Sequence, residues 1–351
     1  LAAARLLEQK MVPQDNFTIV AEVRSGCLDK LRCALAGMNL RGLRGTANPA
    51  NTLVPFENFK TIHFARFVVL ADHAADDRAL YDSRPASEEP VYPTYLCFMV
   101  DCDGSADALL SHMADSCPGL SEIFGFCNGF NNNGDIKQWL SAHRVRPSAS
   151  YVNWVGRSVE QVRQEACLQK RLREALPGTM QRDPQLLRAE LRAAVGCPSL
   201  LAPLPAAPLA WRIANLAHAL LPFVVLAASA WLFPRATIGV IGIAAVVFLV
   251  LLRWHELSDP RVPNPRDDEW ASGLRESEDY DVSNQYTAMG SIKPGPFRLV
   301  VQIVILYAIN WTARHIFTRG GLARIGTIHF AHWVALDRYQ RGFFCSNYDG
   351  G

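Results

Sequence analysis

The sequence predicts an α+β protein of two β-α-β-β-α-β repeats packed sheet to sheet, with a transmembrane helical hairpin inserted between them. Three observations carry this reading. The decapeptide TIHFARFVVL at 61–70 returns as TIHFAHWVAL at 327–336. Each copy is followed by an apolar run that ends in Asp-Gly, YLCFMVDCDG up to Gly104 and GFFCSNYDGG up to Gly351. Between the copies lie two apolar stretches, 213–233 and 236–252, each near the ~20 residues that cross a bilayer.

Length and charge narrow the field first. The 351 residues leave room for two domains, and 35 Lys+Arg against 33 Asp+Glu give no global electrostatic reason to expect a nucleic-acid partner. Nine cysteines are scattered without a CxxC pair, which fits free thiols in a reducing compartment. The chain carries no Walker loop, GxGxxG, GxSxG or HExxH, so nucleotide-dependent and hydrolase chemistry lose their usual signatures. It starts at Leu1 and stops at Gly351 within the second Asp-Gly motif, as a piece of a longer polypeptide would.

The first repeat is read over 1–150. Phe17 to Val23 is β-branched and aromatic, and Ser25-Gly26 turns the chain into CLDKLRCALAGM at helical spacing. A Gly-, Asn- and Pro-rich loop then delivers the chain to the strand 60–70, and the polar segment 72–93 connects it to a strand from Tyr95 to Val100. Asp103-Gly104-Ser105 ends that strand, ALLSHMADSC follows as a helix, and LSEIFGFCNGF is read as the last strand. This order is the ferredoxin-like one, two helices on one face of a four-stranded antiparallel sheet. The open face needs a cover, and a second such unit supplies it.

The insertion comes next. Residues 151–210 hold two Arg-rich amphipathic helices, the first with a capping box of Ser158 and Gln161. Residues 211–254 form the hairpin: the second apolar stretch carries eleven Ile, Val, Leu or Phe, on the order of −4 to −6 kcal/mol on the insertion scale. Trp211-Arg212 and Arg253-Trp254 flank the pair as interfacial anchors, with Arg235 in the turn. A hairpin returns the chain to its starting side, and the Arg-rich flanks set that side in the cytoplasm, so the expected location is the inner (cytoplasmic) membrane. His218, inside the first span, is expected to make an interhelical hydrogen bond. Residues 255–283 read as a Pro-rich, acidic linker.

The second repeat occupies 284–351 and is incomplete. Its first helix, FRLVVQIVILYAINWTARHIF, is apolar enough to span, yet the repeat makes it the counterpart of a body helix lying in the membrane interface. The hairpin after the decapeptide is 20 residues long from His329 to Asp349, against 40 from His63 to Asp103.

Strand alternation puts Thr61, His63, Ala65 and Phe67 on one face, with His329, Ala331 and Trp333 as counterparts, and leaves Ile62, Phe64, Val68 and Leu70 for the helices. His63, His329, Phe67, Trp333 and the equivalent pair Asp101 and Asn347 are therefore the ligand-pocket candidates. Two histidines in a half-apolar cavity suit a metal or an iron porphyrin, or acid and base chemistry near neutral pH. Against a metal, no Cys, Asp or Glu falls at ligand spacing within the motif. Asp103-Gly104 and Asp349-Gly350 are expected to end strands and cap helices.

The β-α-β-β-α-β order and its repetition, over 17–150 and 284–351, resemble the dimeric α+β barrel superfamily, which includes dye-decolourising peroxidases and chlorite dismutases. The counterparts of the peroxidases' GxxDG haem motif here are VDCDG, ending at Gly104, and SNYDG, ending at Gly350, both without the first glycine. The decapeptide with its NYDG also resembles a group of uncharacterised membrane-anchored bacterial proteins. Two functions follow as expectations. One is a membrane-anchored, non-catalytic binding or accessory protein that holds an apolar ligand or docks on a larger membrane complex, its partner the lipid bilayer. The alternative, which the resemblance implies, is a peroxidase-like redox enzyme using His63 or His329 with haem or a metal. Catalytic residues are unassigned.

Overall fold

The computed structural model describes residues 14–40, 47–71, 92–176, 183–195, 207–258, 283–322 and 324–349. Most of the connection at 72–93 and of the linker at 255–283 lies outside them. Eight strands are described: β1 (Gln14–Glu22), β2 (Ile62–Leu70), β3 (Tyr95–Asp103), β4 (Arg144–Val145), β5 (Ala149–Val152), β6 (Ser283–Ser291), β7 (Ile328–Leu336) and β8 (Arg341–Asp349). The helices are α1 (Leu28–Ala36), α2 (Ala106–Ser116), α3 (Gly119–Phe124), α4 (Ile136–Ala142), α5 (Val159–Ala175), α6 (Pro184–Val195), α7 (Leu209–Leu232), α8 (Pro234–Ser258) and α9 (Pro296–His315).

The strands form two antiparallel sheets, ordered β2-β3-β1-β4 and β5-β7-β8-β6. β3 is the centre of the first because its run LCFMVDC is apolar on both faces, and it pairs β1 along nine residues. One face of this sheet, with Phe17, Ile19, Ala65, Phe67, Phe98 and Val100, packs under α1–α4. The other face, with Val20, Val68, Leu70, Cys97 and Met99, meets Val334, Leu336, Phe343 and Cys345 of the second sheet. The sheets thus share one apolar layer.

Two expectations change here. The segment 120–130 is not a strand: Leu120, Ile123 and Phe124 fall at helical spacing and all three enter the core as part of α3. Its start is fixed by close packing, since a Cβ on Gly119 would lie 2.3 Å from the Leu53 carbonyl oxygen. The fourth strand of the first sheet is instead the two-residue β4, against Thr18 and Ile19. The boundary at 150 also falls inside an element, because β5 leaves the first sheet and pairs β7, with Ser150 opposite His332.

Strand alternation fails at one residue in each decapeptide. In β2 the register runs Ile62↔Cys102 and then Phe64↔Asp101, and in β7 it runs Ile328↔Tyr348 and then Phe330↔Asn347. His63 and His329 are thus the extra residues of two equivalent β-bulges. A bulge re-aims the side chains beyond it, so Ala65 and Phe67 turn toward the helices. Phe67 is therefore no pocket residue: its ring stacks on Phe98 at 4.3 Å in the helix-side core. Trp333 likewise faces away from the shared layer and packs on Phe344, ring centroids 4.9 Å apart, on the outer face of the second sheet.

Three helices, α7, α8 and α9, are long and apolar enough to cross a membrane. In α8 no part of the most apolar stretch is buried, and Ile238, Ile243, Val246 and Leu249 are all exposed. Thr237 closes the hairpin by donating to the Ser229 carbonyl at 2.8 Å. α9 is held by the second sheet, where Asn310 Oδ1 accepts from the Ser150 N–H at 3.3 Å and Ala313 packs with Tyr151 and Ala331. Its ends meet the hairpin near the body: His315 Nε2 lies 2.8 Å from His218 Nδ1, Arg314 bonds Asn215, and the Phe297 ring stacks on His255. The hydrogen bond expected of His218 is therefore made, with α9 as the partner.

Candidate functional site

The two decapeptides meet through reciprocal contacts between the sheets. Each bulge turns its histidine toward the Asp at the end of the neighbouring strand. His63 Nε2 lies 2.9 Å from Asp103 Oδ1, and His329 Nε2 lies 2.7 Å from Asp349 Oδ1. Each histidine ring also leans on the phenylalanine of the other copy, His63 on Phe330 at 5.2 Å and His329 on Phe64 at 6.0 Å. The phenylalanines meet edge to face at 5.6 Å. The repeated His-Phe pair is thus a reciprocal clasp between the sheets.

Both histidines line one cavity of about 540 Å³. Its floor is Ile62, Phe64 and Phe330, and its cover is α5 through Val159, Val162 and Ala166, with Arg157, Arg163 and Glu165 at the charged rim. Asp103 reaches a helix as expected of it, but a more distant one: Oδ2 accepts from the Val159 N–H at 2.7 Å, at the start of α5. The next helix, α2, is capped by Ser105 and by Asp15. The loop before α5 is clamped by Gln14, which donates to the Arg157 carbonyl at 2.8 Å and accepts from the Gly156 N–H at 2.6 Å.

Beside this cavity, inside the shared apolar layer, lies a buried polar network. Asp101 Oδ1 is 2.7 Å from His332 Nε2, and Asp101 Oδ2 is 3.5 Å from Arg66 Nη2. Arg66 also donates to Asn347 Oδ1, Asn347 donates to Gln285 at 2.9 Å, and Ser150 Oγ sits 3.3 Å from His332 Nδ1. Asp101 and Asn347 thus come together as equivalent positions, and so do Arg66 and His332, the sixth residues of the decapeptides. Burial alone would push the Asp101 carboxyl up, but the neighbouring His332 and then Arg66 outweigh it and hold the group below its ordinary value. Burial raises the Cys345 thiol, and that of Cys102 to about 12, so neither is a ready nucleophile. The described cysteines are all free.

Sequence reasoning missed Arg66 and His332. The signal was present: a charged and a titratable residue stand inside strands that are otherwise apolar, FARFVVL and FAHWVAL.

The chemistry of the site can be tested against the haem or metal that the resemblance implies. Nε2 of each candidate histidine faces a carboxylate, which leaves Nδ1, flanked by its own Cβ and the poorer ligand to a flat macrocycle. Each ring also packs on one phenylalanine of the other copy, Phe330 or Phe64. The residues do not fit a haem. Among the described residues no three His, Cys, Asp or Glu side chains converge to hold a metal ion.

Comparison of the chain with known protein families, with curated proteins and with solved structures finds no match.

The clasp predicts an asymmetric response to mutation. His63 and Asp103 are nearly buried, so His63→Leu strands a carboxylate and is expected to lower stability by about 1–3 kcal/mol. Asp349 is more than half exposed, so His329→Leu is expected to cost less than about 1 kcal/mol. Urea unfolding of the two variants in one detergent checks the order.

Proposed function

We propose that the chain is a membrane-anchored binding protein of two ferredoxin-like repeats, with its body on the cytoplasmic face of the inner membrane and α9 lying in the membrane interface. The observation that carries this reading is the exposed apolar surface of the α7–α8 hairpin, which no protein layer covers among the described residues. A surface of that extent needs a bilayer around it. The strand order β2-β3-β1-β4 supports the repeat, as does the same bulge at the same place in β7. The ligand site is the cavity at His63 and His329. Its apolar floor and its rim, where Arg163 stands beside the Arg157–Glu165 ion pair, suit an apolar molecule with a polar head. His63 and His329 each already bond a carboxylate, so the reading is binding rather than catalysis.

Docking on a larger membrane complex is a second reading, favoured by β6. Its nine residues, SNQYTAMGS, hold no charge, proline or bulge, and β6 stands last in the strand order of the second sheet. Such an edge invites an added strand.

Two native cysteines test the anchor and its sidedness. Cys33 and Cys167 are exposed on the body. Alkaline carbonate is expected to leave the protein in the membrane pellet, and a membrane-impermeant maleimide is expected to label both cysteines only after the membrane is opened. Extraction by carbonate, or labelling of intact cells, would overturn the reading.

A further inference from the structure

A second cavity lies on the other side of the molecule, between the end of α8 and the start of α9. It holds about 730 Å³ and is walled by Leu252, Phe297, Val301, Ile305 and Trp333. A smaller cavity of about 390 Å³ shares Gln302, Leu306 and Trp333 with it and continues across the outer face of the second sheet to Phe344. Together they make an apolar, aromatic groove. It opens between two helices that present exposed apolar side chains, among them Leu252 and Ile305, so a molecule dissolved in a bilayer around them could enter from the side.

The lining of the larger cavity also carries His255, Glu256, Lys293, Arg298 and Gln302. Gln302 Oε1 is buried where both cavities meet and has no hydrogen-bond partner. A buried acceptor without a donor is uncommon and calls for an explanation. At the mouth, Arg298 Nη2 donates to His255 Nδ1 at 3.3 Å. Arginine has no acceptor, so a neutral His255 carries its proton on Nε2 and can donate from there.

We propose that this groove binds a bilayer-resident amphiphile whose hydroxyl hydrogen-bonds Gln302. A hydroxyl donates, so it supplies the donor that Gln302 Oε1 lacks. The apolar body of the ligand lies along Val301, Ile305 and Trp333. Two sources share this chemistry: a phenolic ring with an apolar tail, as in a quinol, and an aliphatic lipid alcohol such as a diglyceride. The inference rests on the membrane-anchored reading but concerns a site separate from the cavity at His63 and His329.

The test uses the full chain in phosphatidylcholine nanodiscs and tritiated 4-decylphenol. Saturable binding is expected, with 4-decylanisole, the methyl ether, competing about tenfold more weakly for want of one hydrogen bond. Gln302→Leu is expected to bring the two probes to within about twofold, and circular dichroism of that variant checks that it is folded. 1-Decanol supplies the second arm: weaker competition than 4-decylphenol assigns the quinol-type source, and stronger competition the aliphatic alcohol. Uptake that never saturates, equal competition by phenol and ether, or an unchanged ratio in folded Gln302→Leu would each overturn the proposal. Release of the wild-type chain by carbonate would instead sink the anchor reading, so the two failures are told apart.

Discussion

Asp101→Ala is expected to destabilise the body by about 3–5 kcal/mol, because it leaves the buried Arg66 guanidinium without its carboxylate. That is a large share of the ~5–15 kcal/mol that holds a typical domain together. Thermal unfolding of the detergent-solubilised protein is expected to drop accordingly. The triple replacement Asp101→Leu, Arg66→Met and His332→Leu is expected to recover most of the loss, since an apolar set of similar volume often equals or exceeds a buried ionic one. A triple variant no more stable than Asp101→Ala would mean that the network is irreplaceable for the sheet contact. The pH dependence has a definite sign. The Asp101 carboxyl is held below its ordinary value in the folded protein, so its stabilising effect is complete above the unfolded value of about 4 and is lost as pH falls through the lower folded value.

Ile243→Arg in α8 is the second large effect. Ile243 is exposed in the middle of the hairpin's second helix. Exchanging isoleucine for arginine there shifts the insertion free energy by about 3–4 kcal/mol, most of what the span supplies. The variant is expected to leave the carbonate-resistant pellet in large part, while Ile243→Leu stays in it. Equal retention of both would show that α8 is not a membrane span.

How far the sequence reaches is clearest at the decapeptides. Their duplication announces two equivalent strands, and the Asp-Gly runs announce the strands beside them; both pairings are present in the sheets. The faces of those strands were not legible. A bulge is one inserted residue with no composition of its own, and period-two reasoning carries its phase error to every later position, which is why Phe67 and Trp333 land outside the shared layer. The segment around Leu120 misled for a different reason: a short apolar run carries both periodicities until its partners are known. Half of the polar network was legible, since Asp101 and Asn347 stand at equivalent positions; Arg66 and His332 were not, because the two copies differ there within an otherwise matching stretch. Identity between the copies marks the clasp. Difference marks the network.

The strand exchange at β5 sets the order in which the molecule can be made. Val152 and its pairing partner Phe330 are separated by 330 − 152 = 178 residues, with the hairpin between them. At a synthesis rate of roughly 5–20 residues per second, β5 has no partner for on the order of ten to forty seconds after it leaves the ribosome. Throughout that interval Tyr151, fully buried in the finished protein, has neither Ala331 nor Ala313 to cover it. The nascent chain therefore carries an open strand while the α7–α8 hairpin is being made, and a holding chaperone at that stage would have β5 as its natural grip.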